Sequence, residues 1–215
     1  VDGATIFVAR SGRGVHEFAY TDVSQAYQAN DLAILARHLV NVPVSMAYDQ
    51  GARLLHMAMQ DGSLATLTIY RAEQVTAWTR QETAGAFRAI AETEGTVWAV
   101  TERGGSFALE RFDAELALDA ALSGSASSPQ DEWSGLGHLE GREVGVLADG
   151  APRAAATVGA GAVMLDEPAR SVQIGLAFRH EIEPLPPDLI GAGGAATGPL
   201  RLVAATFRLL ETAAL

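Results

Sequence analysis

The sequence predicts an all-β fold, and three observations carry that reading. Between Val44 and Thr83 four short runs (Ser45–Tyr48, Arg53–Ala58, Leu64–Tyr70 and Gln74–Arg80) are separated by tight turn sequences. One of those turns contains Asp61-Gly62, a strong hairpin signal, because turns between paired strands favour a positive φ that glycine accepts without a steric penalty. Within the runs, Leu67, Ile69, Val75 and Ala77 alternate with Thr66, Thr68, Thr76 and Thr79, the period-two pattern of half-buried antiparallel strands. Four consecutive strands with no room for a crossover helix form an up-and-down meander, the unit of a β-propeller blade. The full expectation is antiparallel meanders as partial propeller blades, then a small β-barrel or sandwich, with one short helix.

Taken from the N-terminus, Thr5–Ala9 and Val15–Tyr20 form a hairpin around Ser11-Gly12-Arg13-Gly14. Asn30 is a suitable N-cap and Asp31 suits the positive end of a helix dipole. Leu32, Leu35, Ala36 and Leu39 would share one face of an amphipathic helix over Asp31–Leu39, and Pro43 separates it from the central meander. A second meander follows in Phe87–Glu92, Thr96–Glu102 and Ser106–Phe112, with turns at Glu94-Gly95 and Gly104-Gly105. Trp78 and Trp98 fall at comparable points of the two meanders, a loose sign of repetition, and alternation assigns both to the core. Fewer than four blades cannot close a propeller, so further blades are expected upstream of Val1 or the strands form an open structure. The start at Val1, without Met or a signal-peptide pattern, reads as a fragment or a processed chain.

Residues 1–122 are thus assigned to propeller-type meanders. The small polar stretch Gly124–Pro129 marks a linker over residues 123–131. Residues 132–187 hold the small barrel or sandwich, with strands at Arg142–Ala148, Ala154–Val158, Ala162–Leu165 and Ser171–Phe178. A Gly-rich loop (Gly191–Gly198) and a closing strand (Leu200–Leu210) occupy residues 188–215.

The 215 residues are 48% hydrophobic, enough for a sizeable core. No apolar run reaches the eighteen residues of a membrane-spanning helix. The chain has no cysteine, which excludes disulfides, thiolate metal sites and thiol nucleophiles. A net charge of −11 lacks the basic footprint of a sequence-independent nucleic-acid binder; it serves solubility, or lets a polyanion pass without adhering.

Candidate chemistry is sparse. Gly191–Gly198 is followed by Pro199 and a strand, without the Gly-Lys-Ser/Thr and helix of a phosphate-binding loop. His16, His38, His56, His138 and His180 show no zinc-ligand spacing, and His56, among apolar neighbours, reads as a sheet residue. Glu110, Asp113, Glu115 and Asp119 lack the register of a calcium loop and read as a solvated acidic segment. No catalytic, cofactor-binding or metal-binding residue is assigned, and the chain reads as a non-enzyme.

Several segments resemble the tail nozzle (tail tubular B-type) proteins of short-tailed bacteriophages and prophages. They are Phe7–Tyr20, Asp31–Leu39, Met46-Ala47-Tyr48-Asp49, Asp61–Leu64, Val75–Trp78, Trp98–Val100, Leu109–Phe112 and Gly137–Gly150. The resemblance extends from about Thr5 to Leu210, and the family's proteins are longer, with a platform and more propeller strands ahead of this part. It implies a structural component of the DNA-ejection conduit: a hexamer contacting adaptor, portal and tail-fibre proteins, located in the virion tail and in the host cytoplasm during assembly. DNA would pass through it without sequence-specific binding, past a lumen lined in part by the negative charge. A second reading is a carbohydrate- or protein-binding β-module at the host surface. A third, a hydrolase on a propeller scaffold, needs converging histidines and carboxylates that the spacing does not offer.

Overall fold

The computed structural model describes residues 3–21, 25–183, 204–206 and 208. It is all-β, with four antiparallel sheets distributed over two compact units, Val1–Glu115 and Leu116–Leu215. Most of the predicted closing strand and all of the Gly-rich loop lie outside the described residues.

The first unit contains three sheets. β1 (Thr5–Val8), β2 (Val15–Thr21) and β3 (Ala26–Asp31) form one, in sequence order. β4 (Pro43–Asp49), β5 (Leu54–Met59), β6 (Leu64–Tyr70) and β7 (Val75–Gln81) form the predicted four-stranded meander. β8 (Ala86–Thr93), β9 (Thr96–Arg103) and β10 (Ser106–Arg111) form the third. The Asp61-Gly62 turn has the expected chemistry: Gly62 sits at φ +89°, and the Asp61 carboxylate accepts from the Ser63 amide (3.0 Å) and hydroxyl (2.6 Å).

These sheets stack with the second in the middle. Leu55, Met57, Met59, Leu67 and Ile69 project from one of its faces into a cluster with Val15 of the first sheet and with Ala33 and Val40 of the connecting segment. From the opposite face, Ala47, Ala58 and Leu64 pack on Phe87, Ile90, Val97 and Ala99 of the third sheet. The central strands are therefore buried on both faces, where alternation predicted one. Thr66 could be read as an outward residue because threonine is common on solvated faces, yet it is buried here and paired with His56. Polar ties reinforce the stack. The Ser45 hydroxyl donates to the Ile90 carbonyl (2.9 Å) and accepts from its amide (3.1 Å). Arg71 reaches Glu17 at 2.6 Å, and the Trp78 indole donates to the Leu32 carbonyl at 2.9 Å.

The predicted helix over Asp31–Leu39 does not form. Asp31 ends β3 and the chain then proceeds through turns to a 3₁₀ turn at Arg37–Leu39. Leu35, assigned to the helix's buried face, is 92% exposed. Sheet pairing outweighed the helical period: β3 registers against β2 from Ala26 to Asp31 and takes up the residues read as cap and first turn. No α-helix occurs among the described residues, and none is long and apolar enough to cross a membrane.

The second unit is one sheet in the order β11-β14-β12-β13, from β11 (Asp119–Ser134), β12 (Glu143–Ala148), β13 (Ala151–Thr157) and β14 (Ala162–Leu176). The linker assigned to residues 123–131 is corrected to strand, and the expected strands Ala162–Leu165 and Ser171–Phe178 merge into one long strand that ends at Leu176. Small residues there have a packing cause. A Cβ at Gly124 would stand 2.8 Å from the Trp133 ring, so the indole lies directly on that backbone. β11 is also an edge strand, where polar residues and a proline are tolerated. The register with β14 shifts between Ser125 and Gln130, around Pro129. Trp133, Leu139, Val146, Val163, Val172 and Ile174 belong to this unit's core. Among the described residues these four strands pair as one sheet, with β11 and β13 at the ends of the order.

Candidate functional site

Strand register assembles a row of side chains that sequence spacing did not connect. Phe7 pairs with His16, and His16 with Asp31, across the three strands of the first sheet. Because Val15 is held in the core behind them, alternation turns this row outward. The β1–β2 turn, closed by hydrogen bonds from the Gly12 amide to Ala9 and from the Ala9 amide to Gly14 (both 2.8 Å), carries Arg13 to its rim. The 3₁₀ turn returns Arg37 and His38 to the same place. Together Ala9, Ser11, Arg13, Gly14, His16, Asp31, Arg37 and His38 line an open depression.

The groups are held in place. Arg37 Nη2 lies 2.8 Å from Asp31 Oδ2, and Asp31 Oδ1 accepts from the Ala33 amide at 2.9 Å. Partial burial raises the Asp31 carboxyl, but the Arg37 and Ala33 hydrogen bonds and the neighbouring positive charge outweigh it, leaving it below the usual carboxylate value. The His16 ring stacks on Phe7, 5.5 Å between centroids and 19° between planes. Its Nε2 occupies space a Cβ at Gly14 would contest at 2.9 Å, so the absent side chain lets the imidazole lie over the turn.

Further along the same face, Phe18 stacks on Tyr27 at 5.0 Å and 8°, and Tyr20 meets Tyr27 edge-on at 5.4 Å. Tyr27 is 65% exposed. On the third sheet Phe107 and Leu109 are exposed and Trp98 is half-buried. Trp98 points away from Val97 and Ala99, which correct its core assignment and end its equivalence with Trp78: Trp78 lies on a fourth strand, Trp98 on a middle one.

The remaining histidines do not converge. His138 Nε2 donates to the Ala120 carbonyl at 2.8 Å, and His180 meets Phe178 edge-on at 4.7 Å. His56 is buried, as expected of a sheet residue. Its Nδ1 is 2.9 Å from Thr66 Oγ1, which in turn donates to Gln81 Oε1 at 3.0 Å. Since the threonine proton is committed to Gln81, the proton between His56 and Thr66 resides on Nδ1. The acidic segment is engaged in local contacts: Glu110 forms a two-pronged pair with Arg103, and Asp113 pairs with Arg111 and accepts from the Glu115 amide. No group of three or more residues suited to hold a metal occurs among the described residues.

No family model matches this chain, and no curated protein matches it significantly. What sequence reasoning missed is the meeting of His16, Asp31, Arg37 and His38. The available signal was the alternation of Tyr27 and Ala29 with Gln28 and Asn30, which marks β3 and therefore the register that joins them.

Proposed function

We propose that this chain is a structural component of a short-tailed phage tail, of the nozzle type, forming part of the wall of the DNA-ejection conduit and working without catalysis. The observation that carries this reading is the second sheet's burial on both faces between two further sheets, the packing by which propeller blades build rigid walls. The resembling segments support it by their placement. Met46–Asp49, Asp61–Leu64 and Val75–Trp78 fall on strands or turns of that middle sheet, and Asp31–Leu39 forms the connection that packs on it. A homo-oligomer, six copies by resemblance, would meet adaptor, portal and fibre proteins in the virion tail after assembly in the host cytoplasm. Its net charge of −11 would limit adhesion of passing DNA. Mass photometry and electron microscopy of the full chain, alone and mixed with adaptor and portal proteins of a short-tailed phage, test the reading. The expected result is a ring, at six times the 22.5 kDa chain mass, or a stable complex with those proteins. A monomer that ignores all of them refutes it.

The exposed Phe18, Tyr20 and Tyr27 favour a second reading, a binding module at the host surface, because aromatic side chains anchor interfaces. Phe18 and Tyr27 each give one ring face to the other, which favours a protein partner over a stacked sugar. Glycan-array binding that disappears in Tyr27→Ala would instead support carbohydrate recognition.

A further inference from the structure

We propose that the depression between the β1–β2 turn and the 3₁₀ turn binds a phosphate-class oxyanion through Arg13, His16, Arg37 and His38. The inference is independent of any role in a tail. It starts from charge: the chain carries −11 overall, yet the charged groups lining this depression are Arg13, Arg37 and Asp31, net positive before either imidazole is counted. Asp31 is committed, since Arg37 and the Ala33 amide occupy its oxygens. It therefore acts as the group that fixes Arg37 and offers little repulsion to an incoming anion.

The donors that remain are several, and those of Arg37 and His16 are held in position. Arg37 uses Nη2 on Asp31, leaving Nε and Nη1 without a partner among the described residues. The Arg13 guanidinium has no ion pair among them either, while its backbone amide is held by the Ser11 hydroxyl at 3.3 Å. His16 is oriented by Phe7 and admitted by Gly14. Two guanidinium forks present planar arrays of N–H groups that match the oxygens of a phosphate, and the imidazoles add further donors. A carboxylate, with two oxygens and a single charge, would leave part of this array unmatched.

The ligand's source is a free phosphate or monoester, or the phosphodiester of a nucleic acid, and one experiment separates them. Nitrogen-15 imidazole shifts of the full chain are followed while sodium phosphate, sodium sulfate or a thymidine dinucleotide is added, with sodium acetate and chloride at matched ionic strength. Saturable shifts at His16 and His38 with phosphate and sulfate, beyond those with acetate or chloride, are expected. Saturation with the dinucleotide assigns the site to a nucleic-acid backbone, and its absence assigns it to free phosphate or a monoester. Arg13→Gln, which removes no side-chain hydrogen bond or ion pair seen among the described residues, weakens binding by about tenfold, the scale of one charge-assisted hydrogen bond. Arg10→Gln removes the same charge outside the lining and changes it by less than about twofold, as expected for a solvent-screened charge. Shifts that follow ionic strength alone, equal binding of acetate, or equal weakening by the two arginine variants overturn the proposal.

Discussion

Replacing Leu67 with alanine tests whether two-sided stacking stabilises the first unit. Leu67 is 0% exposed and lies in the cluster joining the first and second sheets. The substitution removes three carbon atoms, about 2.4 kcal/mol of transfer free energy at about 0.8 kcal/mol per methylene. A cavity contribution adds to it, because strands paired on both sides cannot collapse into the space; the expected loss is about 3–4 kcal/mol, within the range for buried leucines. At a urea dependence of about 1–3 kcal/mol per molar, the midpoint falls by about 1–4 M. Unfolding is followed by Trp78 fluorescence in a Trp98→Phe, Trp133→Phe background, since the Trp78 indole bridges to Leu32 and reports on this layer. Leu64→Ala, facing the third sheet, shows a comparable loss. Leu109→Ala, at a side chain 68% exposed, stays within about 0.5 kcal/mol. A Leu67→Ala loss under about 1 kcal/mol, or an equal loss for Leu109→Ala, refutes the stacked arrangement.

Gly85→Ala should prevent the first unit from folding normally, because a Cβ there would stand 2.1 Å from the Glu102 carbonyl oxygen; an unchanged melting temperature contradicts that approach. His56 should show a protonated Nδ1 and an unprotonated Nε2 in nitrogen-15 spectra at neutral pH, and the opposite tautomer breaks the Thr66–Gln81 relay. Burial pushes the His56 imidazole below its ordinary value of 6.5, so below about pH 6.5 the unfolded chain binds a proton that the folded chain resists. Stability contributed by this group is therefore present above that pH and declines as pH falls through it. The Ser63 hydroxyl and amide hold Asp61 below the ordinary carboxylate value of 3.8, so its contribution is present above about pH 4 and is lost on further acidification. Asp61→Asn should flatten the fall in urea midpoint below pH 4, and an unaltered slope argues against the carboxylate's part in the turn.

The central meander was legible because its signals were local and agreed with one another: alternation, Asp61-Gly62, and runs too short for helices. The strands of the third sheet were legible for the same reason. Errors arose where a local pattern competed with pairing that a single segment does not reveal. Asn30 and Asp31 suit a helix start, but the same residues complete a strand once β2 is alongside, and Leu35 then has no helical face to occupy. Gly124–Pro129 has a linker's composition because Trp133 needs a bare backbone to lie on and because an edge strand admits polar residues. Composition reports both conditions identically.

The same reasoning explains why the depression stayed hidden while the sheet walls did not. A wall needs a repeated property along each strand, which periodicity exposes. The depression needs single residues from a turn, two neighbouring strands and a 3₁₀ turn, which only register brings together. Phe7, His16 and Asp31 are separated by 9 and 15 positions in sequence and become neighbours through two pairings. A one-residue slip in either pairing would reverse the face on which the slipped strand presents its side chain. The buried Val15 opposes that slip, because turning His16 inward would bring Val15 out of the core that it shares with Met57 and Leu67. The hydrophobic stacking that makes this unit a wall is therefore also what fixes the polar row on its surface.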